Sequence, residues 1–311
     1  MTHERLTLGI ALLLLSPAIT RPQEARIEQA RQFEPVGTAA NRAGRTPLPV
    51  SARPVENVED TENFGVQQLL REEAEPRPFQ AFAEVAAFVT NNVALTPRDT
   101  LADAFLVATF GMSYKRPLTR GLAFDAGAQV STFRYDDFPQ LSFQSIDAGL
   151  GLTYHAEPLG GVDFFARYNY NELIGDESGE AFFHNHTLAL GLQKSVVISP
   201  AHSVFAGVSG LLGFADPKSA ERSEIAAYAG YHVNVTRKLD GGLLFCSALY
   251  LYTEDHRRDW NQTLSLGLRY RVTEWFSASV SSYFGWNRSN RSAFEYDVVN
   301  GGGAVTLSVQ F

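Results

Sequence analysis

A single pattern, repeated about twelve times over residues 79–311, constrains the fold of this chain more than any other feature. Segments of about ten residues alternate apolar and polar side chains, and turn residues separate one segment from the next. One clear segment sets Leu264, Leu266 and Leu268 against Ser265. Because successive side chains of a β-strand point to opposite faces, each segment has one apolar wall and one polar wall. The pattern predicts an all-β domain of about twelve antiparallel strands.

The make-up of the polar walls distinguishes a membrane barrel from a soluble one. A soluble barrel turns its apolar wall inward and a densely charged wall to solvent, but the polar walls here carry mostly Ser, Thr, Gly, Asn and Gln. Such walls are expected to line a lumen, with the apolar walls turned to lipid. The predicted fold is a single antiparallel up-and-down transmembrane β-barrel of about twelve strands, preceded by a signal peptide and a largely disordered linker.

Aromatic residues support this arrangement because they collect towards the strand ends, as in the girdles found at two membrane interfaces. One girdle is predicted to comprise Tyr114, Phe124, Tyr154, Phe164, Tyr270, Trp275, Phe276 and Phe311. The other is predicted to comprise Phe88, Phe133, Tyr135, Phe143, Tyr170, Phe182, Tyr252, Trp260 and Trp286. Both sets are therefore expected to face lipid.

The connections between strands alternate in length. Residues 117–120 and 272–274 are examples of short connections, and residues 91–101 and 288–300 are examples of long ones. Outer-membrane barrels have short periplasmic turns and longer outer loops. With an even number of strands, the segment before the barrel and the C-terminus are both predicted to be periplasmic.

The N-terminal part of the chain has two zones. Residues 1–20 place an apolar core (residues 6–15) before Ser16, Pro17 and small residues, which predicts a cleaved secretory signal peptide. Residues 21–77 are rich in Pro, Arg and Glu and predict a largely disordered periplasmic linker, because they have too little apolar surface to offset the entropy of ordering. Within it, residues 64–73 predict a short amphipathic helix. A transient helix and a helix that docks on the barrel or plugs its periplasmic mouth both fit this segment.

The last strand carries the clearest family resemblance. Phe311 ends the chain, and the apolar residues Val309, Leu307 and Val305 precede it at alternate positions. This segment resembles the terminal assembly signal of bacterial outer-membrane β-barrel proteins. The resemblance implies a place in the outer membrane of a Gram-negative type of cell. It also implies contact with outer-membrane lipid and lipopolysaccharide, and recognition by the barrel assembly machinery during insertion.

Composition excludes several other classes of protein. The formal net charge is -8 and the pI is about 5.4, whereas a nucleic-acid-binding surface needs an excess of basic residues. Cys246 is the single cysteine, so no internal disulfide and no multi-cysteine metal site can form. The chain has no phosphate loop and no dinucleotide fingerprint. No cofactor, no metal site and no catalytic residue is predicted.

The polar walls contain the candidate functional residues. By their parity along the strands, the predicted lumen-lining residues are Glu84, Lys115, Asp125, Gln129, Asp147, Asp163, Arg167, His232 and Arg269. Opposite charges in a lumen either pair with one another and fill it, or set up a field that selects small solutes. The first hypothesis is therefore a narrow, porin-like passive channel for small hydrophilic solutes. The second is a structural or surface-interaction barrel with a closed lumen, which makes its contacts through the loops or the linker.

A third and more distant hypothesis is a lipid hydrolase at the outer rim. A few outer-membrane barrels are enzymes, and some of them use a histidine to activate a hydroxyl beside a lipid ester. His184 and His186 share one strand face, with the hydroxyl of Thr187 next to them in sequence. No His-x-Ser motif accompanies them, and two polar residues that contact lipopolysaccharide headgroups are the simpler interpretation.

Overall fold

The computed structural model describes residues 20–33, 77–254 and 256–311. Twelve antiparallel strands form one closed barrel in which each strand pairs with its neighbours in sequence and the first pairs with the last. The predicted fold class and strand number are therefore confirmed. The strands are β1 (Phe79–Thr90), β2 (Asp103–Pro117), β3 (Leu122–Tyr135), β4 (Phe143–Ala156), β5 (Val162–Gly175), β6 (Ala181–Ser199), β7 (His202–Asp216), β8 (Arg222–Asn234), β9 (Leu239–Tyr252), β10 (Arg258–Arg271), β11 (Phe276–Ser289) and β12 (Tyr296–Gln310).

The C-terminal strand closes the barrel. β12 pairs with β1 from Gln80↔Gln310 to Thr90↔Asn300. Beyond this ladder, the backbone N–H of Phe79 donates to the carbonyl oxygen of Phe311 at 3.1 Å, and that of Phe311 donates to Phe79 at 3.0 Å. The apolar residues of the predicted assembly signal lie on the outer face of β12. Closure removes the unpaired edges that an open sheet would expose.

The two ends of the barrel differ in their connections. The end that carries Phe79 and Phe311 has short connections, and we call it the turn rim. Its connections are residues 118–121, 157–161, 200–201, 235–238 and 272–275. The opposite end, the loop rim, has the connections 91–102, 136–142, 176–180, 217–221, 253–257 and 290–295. Four 3-10 turns lie in these connections among the described residues, at Pro139–Leu141, Glu157–Leu159, Lys218–Ala220 and Ser292–Phe294.

The outer wall of the barrel is apolar around its circumference. Val85 on β1, Phe110 on β2 and Leu190 on β6 are 54%, 58% and 58% exposed, and each alternates with side chains that face the lumen. A water-soluble protein does not leave so large an apolar surface uncovered. The barrel therefore has the inverted arrangement of a protein whose outer wall contacts lipid.

A helix lies inside the barrel where the sequence predicts a disordered linker. The helix α1 (Thr20–Phe33) consists mainly of strong helix formers, and Pro22 falls in its first turn, where proline is tolerated. The sequence analysis predicted no helix at residues 20–33. Two charges of this segment, Glu24 and Glu28, are paired inside the lumen with partners distant in sequence. The helix predicted at residues 64–73 lies outside the described residues.

Within residues 20–33, 77–254 and 256–311, no helix is long and apolar enough to span a bilayer. The helix α1 lies near the loop rim, which is the end opposite to Phe79 and Phe311.

Candidate functional site: the helix-filled lumen

One side of α1 packs on aromatic residues of the lumen wall. Ile27 and Ala30, one helical turn apart, are almost completely buried. They belong to one cluster with residues of β1 to β7, which include Phe105, Phe133, Tyr135, Phe143, Leu173 and Phe183. Burying a side chain the size of Ile27 stabilises the docked helix by about 1.5–3 kcal/mol.

This cluster overturns part of the predicted aromatic girdle. Phe133, Phe143 and Tyr135 are buried on the lumen side, Tyr252 is buried on the lumen face of β9, and Phe88 and Phe182 pack against the α1 cluster. The residues Tyr170, Trp260 and Trp286 of that girdle alternate with lumen-facing residues and so lie on the outer wall. The prediction failed because it treated the lumen wall as polar throughout. Near the loop rim this wall is apolar, because α1 covers it.

An adjacent side of α1 forms a buried ion-pair network with β8. Nη1 of Arg222 donates to Oε1 of Glu28 at 2.5 Å, and Nη1 of Arg31 donates to the same oxygen at 2.8 Å. Glu28 and Arg222 are 8% and 6% exposed. Burial alone would raise the pKa of the Glu28 carboxyl, but Arg222 and Arg31 together lower it to about 2. Arg222 also stacks on the ring of Tyr250, with 3.6 Å between the guanidinium carbon and the ring centroid.

A second ionic contact holds the first half of α1. Arg257, in the connection between β9 and β10, pairs with Glu24 of the helix. Its Nε donates to Oδ2 of Asp259 at 2.9 Å, and its guanidinium group lies 3.6 Å from the ring centroid of Phe294. Asp259 and Phe294 thus hold the guanidinium group of Arg257 in the position where it pairs with Glu24 of the helix.

Hydrogen bonds extend the contact around the barrel. Gln29 donates to the carbonyl oxygen of Val93 at 2.9 Å and accepts a bond from the hydroxyl of Tyr135. Gln32 accepts a bond from Nδ2 of Asn300 at 3.0 Å, deeper in the lumen. With the contacts described above, α1 touches wall residues from β1 to β12. Only a helix that lies inside the ring of strands can do so.

A cavity lies beside α1 and opens to the rest of the lumen. About 90 Å³ of it is free for water-sized molecules, and part of it is continuous with solvent. The helix contributes Glu28, Arg31 and Gln32, and strands β6 to β12 contribute the remaining wall. The cavity lies on the charged side of the helix, away from the aromatic cluster.

A second aromatic cluster lies on the lumen wall, on the turn-rim side of this cavity. Phe165, Phe205, Tyr228 and Leu244 pack together on the lumen faces of β5, β7, β8 and β9. Their rings lie over glycines of neighbouring strands. The Phe205 ring, for example, occupies the space that a Cβ at Gly230 would need. Rings seated in this way lie along the wall and leave the lumen centre free.

The sequence-predicted lumen residues lie on the inner faces of their strands and form separate local networks. In one, Nη1 of Arg167 on β5 donates to Oδ2 of Asp125 on β3 at 2.6 Å. It passes over Gly151 of β4, where a Cβ would lie 2.8 Å from that nitrogen. Lys115 lies opposite Asp125 in the β2–β3 register.

A second network surrounds Asp147. This carboxylate accepts hydrogen bonds from Asn171 at 2.7 Å, Ser145 at 2.9 Å and Gln129 at 3.4 Å. It is buried, and these three neutral donors satisfy it. This arrangement fixes the wall between β3 and β5.

The remaining predicted lumen residues are paired closer to the turn rim or at mid-height. Asp163 bonds His155 at 2.7 Å and Arg269 bonds Asp240 at 2.9 Å. In the same part of the lumen, Glu84 accepts a bond from Thr306 at 2.8 Å, and His232 lies 3.3 Å from Oδ1 of Asn234. The structure therefore does not bring the nine residues together as one site.

Sequence reasoning missed the residues that hold α1. Arg222 and Glu224 lie at the start of β8, and Arg257 and Asp259 lie on either side of the first residue of β10. Each pair consists of a basic and an acidic residue two positions apart. Residues two apart in a strand share a face, so this spacing was a readable signal of paired charges on the lumen wall. Their link to residues 20–33 had no such signal.

The histidines of the lipid-hydrolase hypothesis face away from the lumen. His184 lies 3.7 Å from Asp216, and Nδ1 of His186 lies 2.7 Å from the hydroxyl oxygen of Tyr168. The hydroxyl of Thr187 instead faces the lumen and accepts a bond from Asn169. The strand separates these histidines from the hydroxyl that they were suggested to activate. In the part of the chain that the structure describes, no group of three or more His, Cys, Asp or Glu residues is placed to hold a metal.

Comparison with solved structures shows the barrel fold. An outer-membrane channel from Pseudomonas putida F1 superposes with a TM-score of 0.54 at 10% identity, covering 76% of this chain and 97% of that chain. The translocator domain of the autotransporter NalP from Neisseria meningitidis gives 0.44 at 10% identity, covering 77% and 90%. The KdgM porin gives 0.40 at 8% identity, covering 73% and 99%. No family model and no curated protein sequence matches the chain.

Proposed function

We propose that this protein is an outer-membrane channel for small hydrophilic solutes and that α1 closes it near the loop rim. The observation that carries the proposal is the contrast between the two halves of the lumen. Near the loop rim α1 fills it, whereas towards the turn rim many positions of its wall, between the paired charges and aromatic rings described above, carry small residues. Examples at lumen-facing positions are Ser113, Gly127, Gly149, Ser209, Gly267 and Ser279. Small polar walls favour a hydrated path.

The connection of α1 to the barrel supports a plug that can leave. Residues 34–76 separate Phe33 from the first described residue before β1. The helix shares no strand pairing with the barrel, so its departure breaks side-chain contacts but leaves every ladder intact. A separate element of this kind is suited to gating.

The proposal includes a location and an orientation. The apolar outer wall and the terminal Phe311 favour the outer membrane, with insertion by the barrel assembly machinery and contact with lipid and lipopolysaccharide. By the usual arrangement of such barrels, the turn rim faces the periplasm and the loop rim faces outward. If a signal peptide is removed near residue 20, α1 begins the mature chain.

The alternative is a structural or surface-interaction barrel that α1 closes permanently. The specific observation in its favour is the depth of the docking, with an aromatic cluster and buried ion pairs on adjacent sides of the helix. In that case removal of α1 would unfold the barrel or leave its conductance unchanged.

Conductance in planar bilayers tests the proposal. We would compare refolded residues 20–311 with a variant that lacks residues 20–33 and with a matched control that lacks residues 40–53, a deletion of the same length. Gel migration before and after heating verifies that each barrel is folded. We expect steady conductance only without α1, and renewed closure when a synthetic peptide of residues 20–33 is added. A folded barrel that stays silent without α1 would refute the channel.

A further inference from the structure

The cavity beside α1 has the chemistry of a binding site, and its charges are already balanced. Glu28 receives both Arg31 and Arg222, and Nη2 of Arg222 lies 3.6 Å from Oε2 of Glu224. Two carboxylates therefore face two guanidinium groups. An ionic ligand would have to compete with these buried pairs, and breaking such a pair is costly. The cavity thus favours a ligand without net charge.

The cavity also offers uncommitted hydrogen-bonding groups. Asn185, on the β6 wall, is 6% exposed, and its Oδ1 accepts no hydrogen bond from any residue that the structure describes. Buried polar atoms of native proteins are normally paired with protein or ordered solvent groups. A ligand hydroxyl would supply the missing donor. On the facing wall, Thr263 and Ser265 add hydroxyls that can donate or accept.

Aromatic rings complete the wall. Tyr250, Tyr283 and Tyr296 line the cavity from lumen-facing positions on β9, β11 and β12. Nδ2 of Asn261, also in the wall, lies 3.3 Å from the hydroxyl oxygen of Tyr296. Rings with polar tips and convergent amides suit a ligand that has C–H faces and hydroxyl edges.

We infer that the cavity beside α1 binds a neutral saccharide, so that the solute of the channel is an uncharged sugar. This inference rests on the proposed channel function and names its substrate class. A pyranose ring offers C–H faces to the tyrosines and hydroxyl donors to Asn185. Its lack of charge leaves the pairs around Glu28 and Arg222 undisturbed.

Saturation-transfer NMR on the folded chain 20–311 in micelles tests the inference without any need for conduction. The probes are maltose, glucose and two charged analogues of glucose, namely glucuronate and glucosamine. We expect transfer to maltose and glucose and little to the charged analogues. No transfer to the neutral sugars, or equal transfer to either charged analogue, would overturn the inference.

Substitutions locate the binding. Asn185→Leu removes the unpaired acceptor and keeps the number and branching of the side-chain heavy atoms, and Thr263→Val removes a hydroxyl from the facing wall. Gln193→Leu is the matched control, because Gln193 also faces the lumen from β6 but does not line the cavity. We expect Asn185→Leu to weaken sugar binding about fivefold, the effect of one net hydrogen bond. Gln193→Leu should leave it unchanged. Equal binding by Asn185→Leu and the wild type, with both folded, would place the sugar elsewhere.

The two proposals fail in distinguishable ways. Conductance of the variant without residues 20–33, together with no sugar binding, would keep the channel and reject the saccharide. Sugar binding that depends on Asn185, together with a silent folded barrel, would keep the saccharide site and reject the channel.

Discussion

The substitution Glu28→Gln should open the channel without removing α1. The carboxylate of Glu28 is the common partner of Arg222 and Arg31, and it is almost completely buried. The substitution keeps the size of the side chain but removes the charge that both guanidinium groups contact. Arg222 then keeps Glu224, at 3.6 Å, the hydroxyl of Tyr252, at 3.2 Å, and the ring of Tyr250.

The magnitude follows from the loss of one partner in a buried pair. Removing one member of such a pair costs about 3–5 kcal/mol. The contacts that remain to Arg222 favour the lower end, so we expect a loss of about 3 kcal/mol in docking free energy. At about 1.4 kcal/mol for each factor of ten, the equilibrium between undocked and docked helix rises about 100-fold.

Single-channel recording measures this shift as open probability. Glu157→Gln is the matched control, because it makes the same change at an exposed residue of the turn rim. Arg222→Gln and the double variant Glu28→Gln/Arg222→Gln complete a mutant cycle. Their effects should be much less than additive, because either single change already breaks the pair. An open probability in Glu28→Gln equal to that of the wild type, while the variant without α1 conducts, would refute this account of closure.

Three further predictions follow from contacts of α1 and of the wall. Ile27→Asp places a carboxylate in the aromatic cluster and should raise the open probability more than Ile27→Val does in the same recordings. Gly230→Ala forces a methyl group into the Phe205 ring and should lower barrel stability by about 1–3 kcal/mol in urea titrations. The control Gly267→Ala, whose Cβ has no atom nearer than 3.9 Å, should not. Because the docked pKa of Glu28 is depressed to about 2 from an ordinary 4.5, its ion pair contributes fully above about pH 4.5 and is lost only as the pH falls through about 2. The contribution of this pair to closure, measured as the difference between wild type and Glu28→Gln, should therefore stay constant from neutral pH to about 4.5; a decline over that interval would contradict the assignment.

The barrel could be predicted from the sequence because its signal is local and repeated. Alternation such as that around Leu266 requires only neighbouring residues, and the terminal Phe311 marks the closing strand. The same parity placed Arg167 and Asp125 on one wall, and the structure pairs them at 2.6 Å. Their contact across β4 also depends on Gly151, which the alternation alone does not show.

The helix in the lumen could not be predicted in the same way. Residues 20–33 are polar, with only Ile27 and small alanines to mark a buried face, so local composition favours a solvated chain. The residues that order the helix are remote in sequence, and the inward-facing Phe133 could be assigned to lipid as long as the lumen was thought to hold only water. A short window of sequence does not show that a segment ahead of the first strand lies inside the barrel.

The sequence separation between α1 and its partner residues determines when in folding their contacts can form. Glu28 and Arg222 are 194 residues apart, and Gln32 and Asn300 are 268 residues apart. The helix is synthesised before any strand, but its binding surface is complete only after β12 has been added and Phe311 has paired with Phe79. Contacts of such sequence separation form late, because the intervening chain must first be ordered. We therefore expect every molecule to pass through a stage in which the strands are in place and the lumen is still empty, and the first closure of the barrel by α1 to be the last step of its maturation.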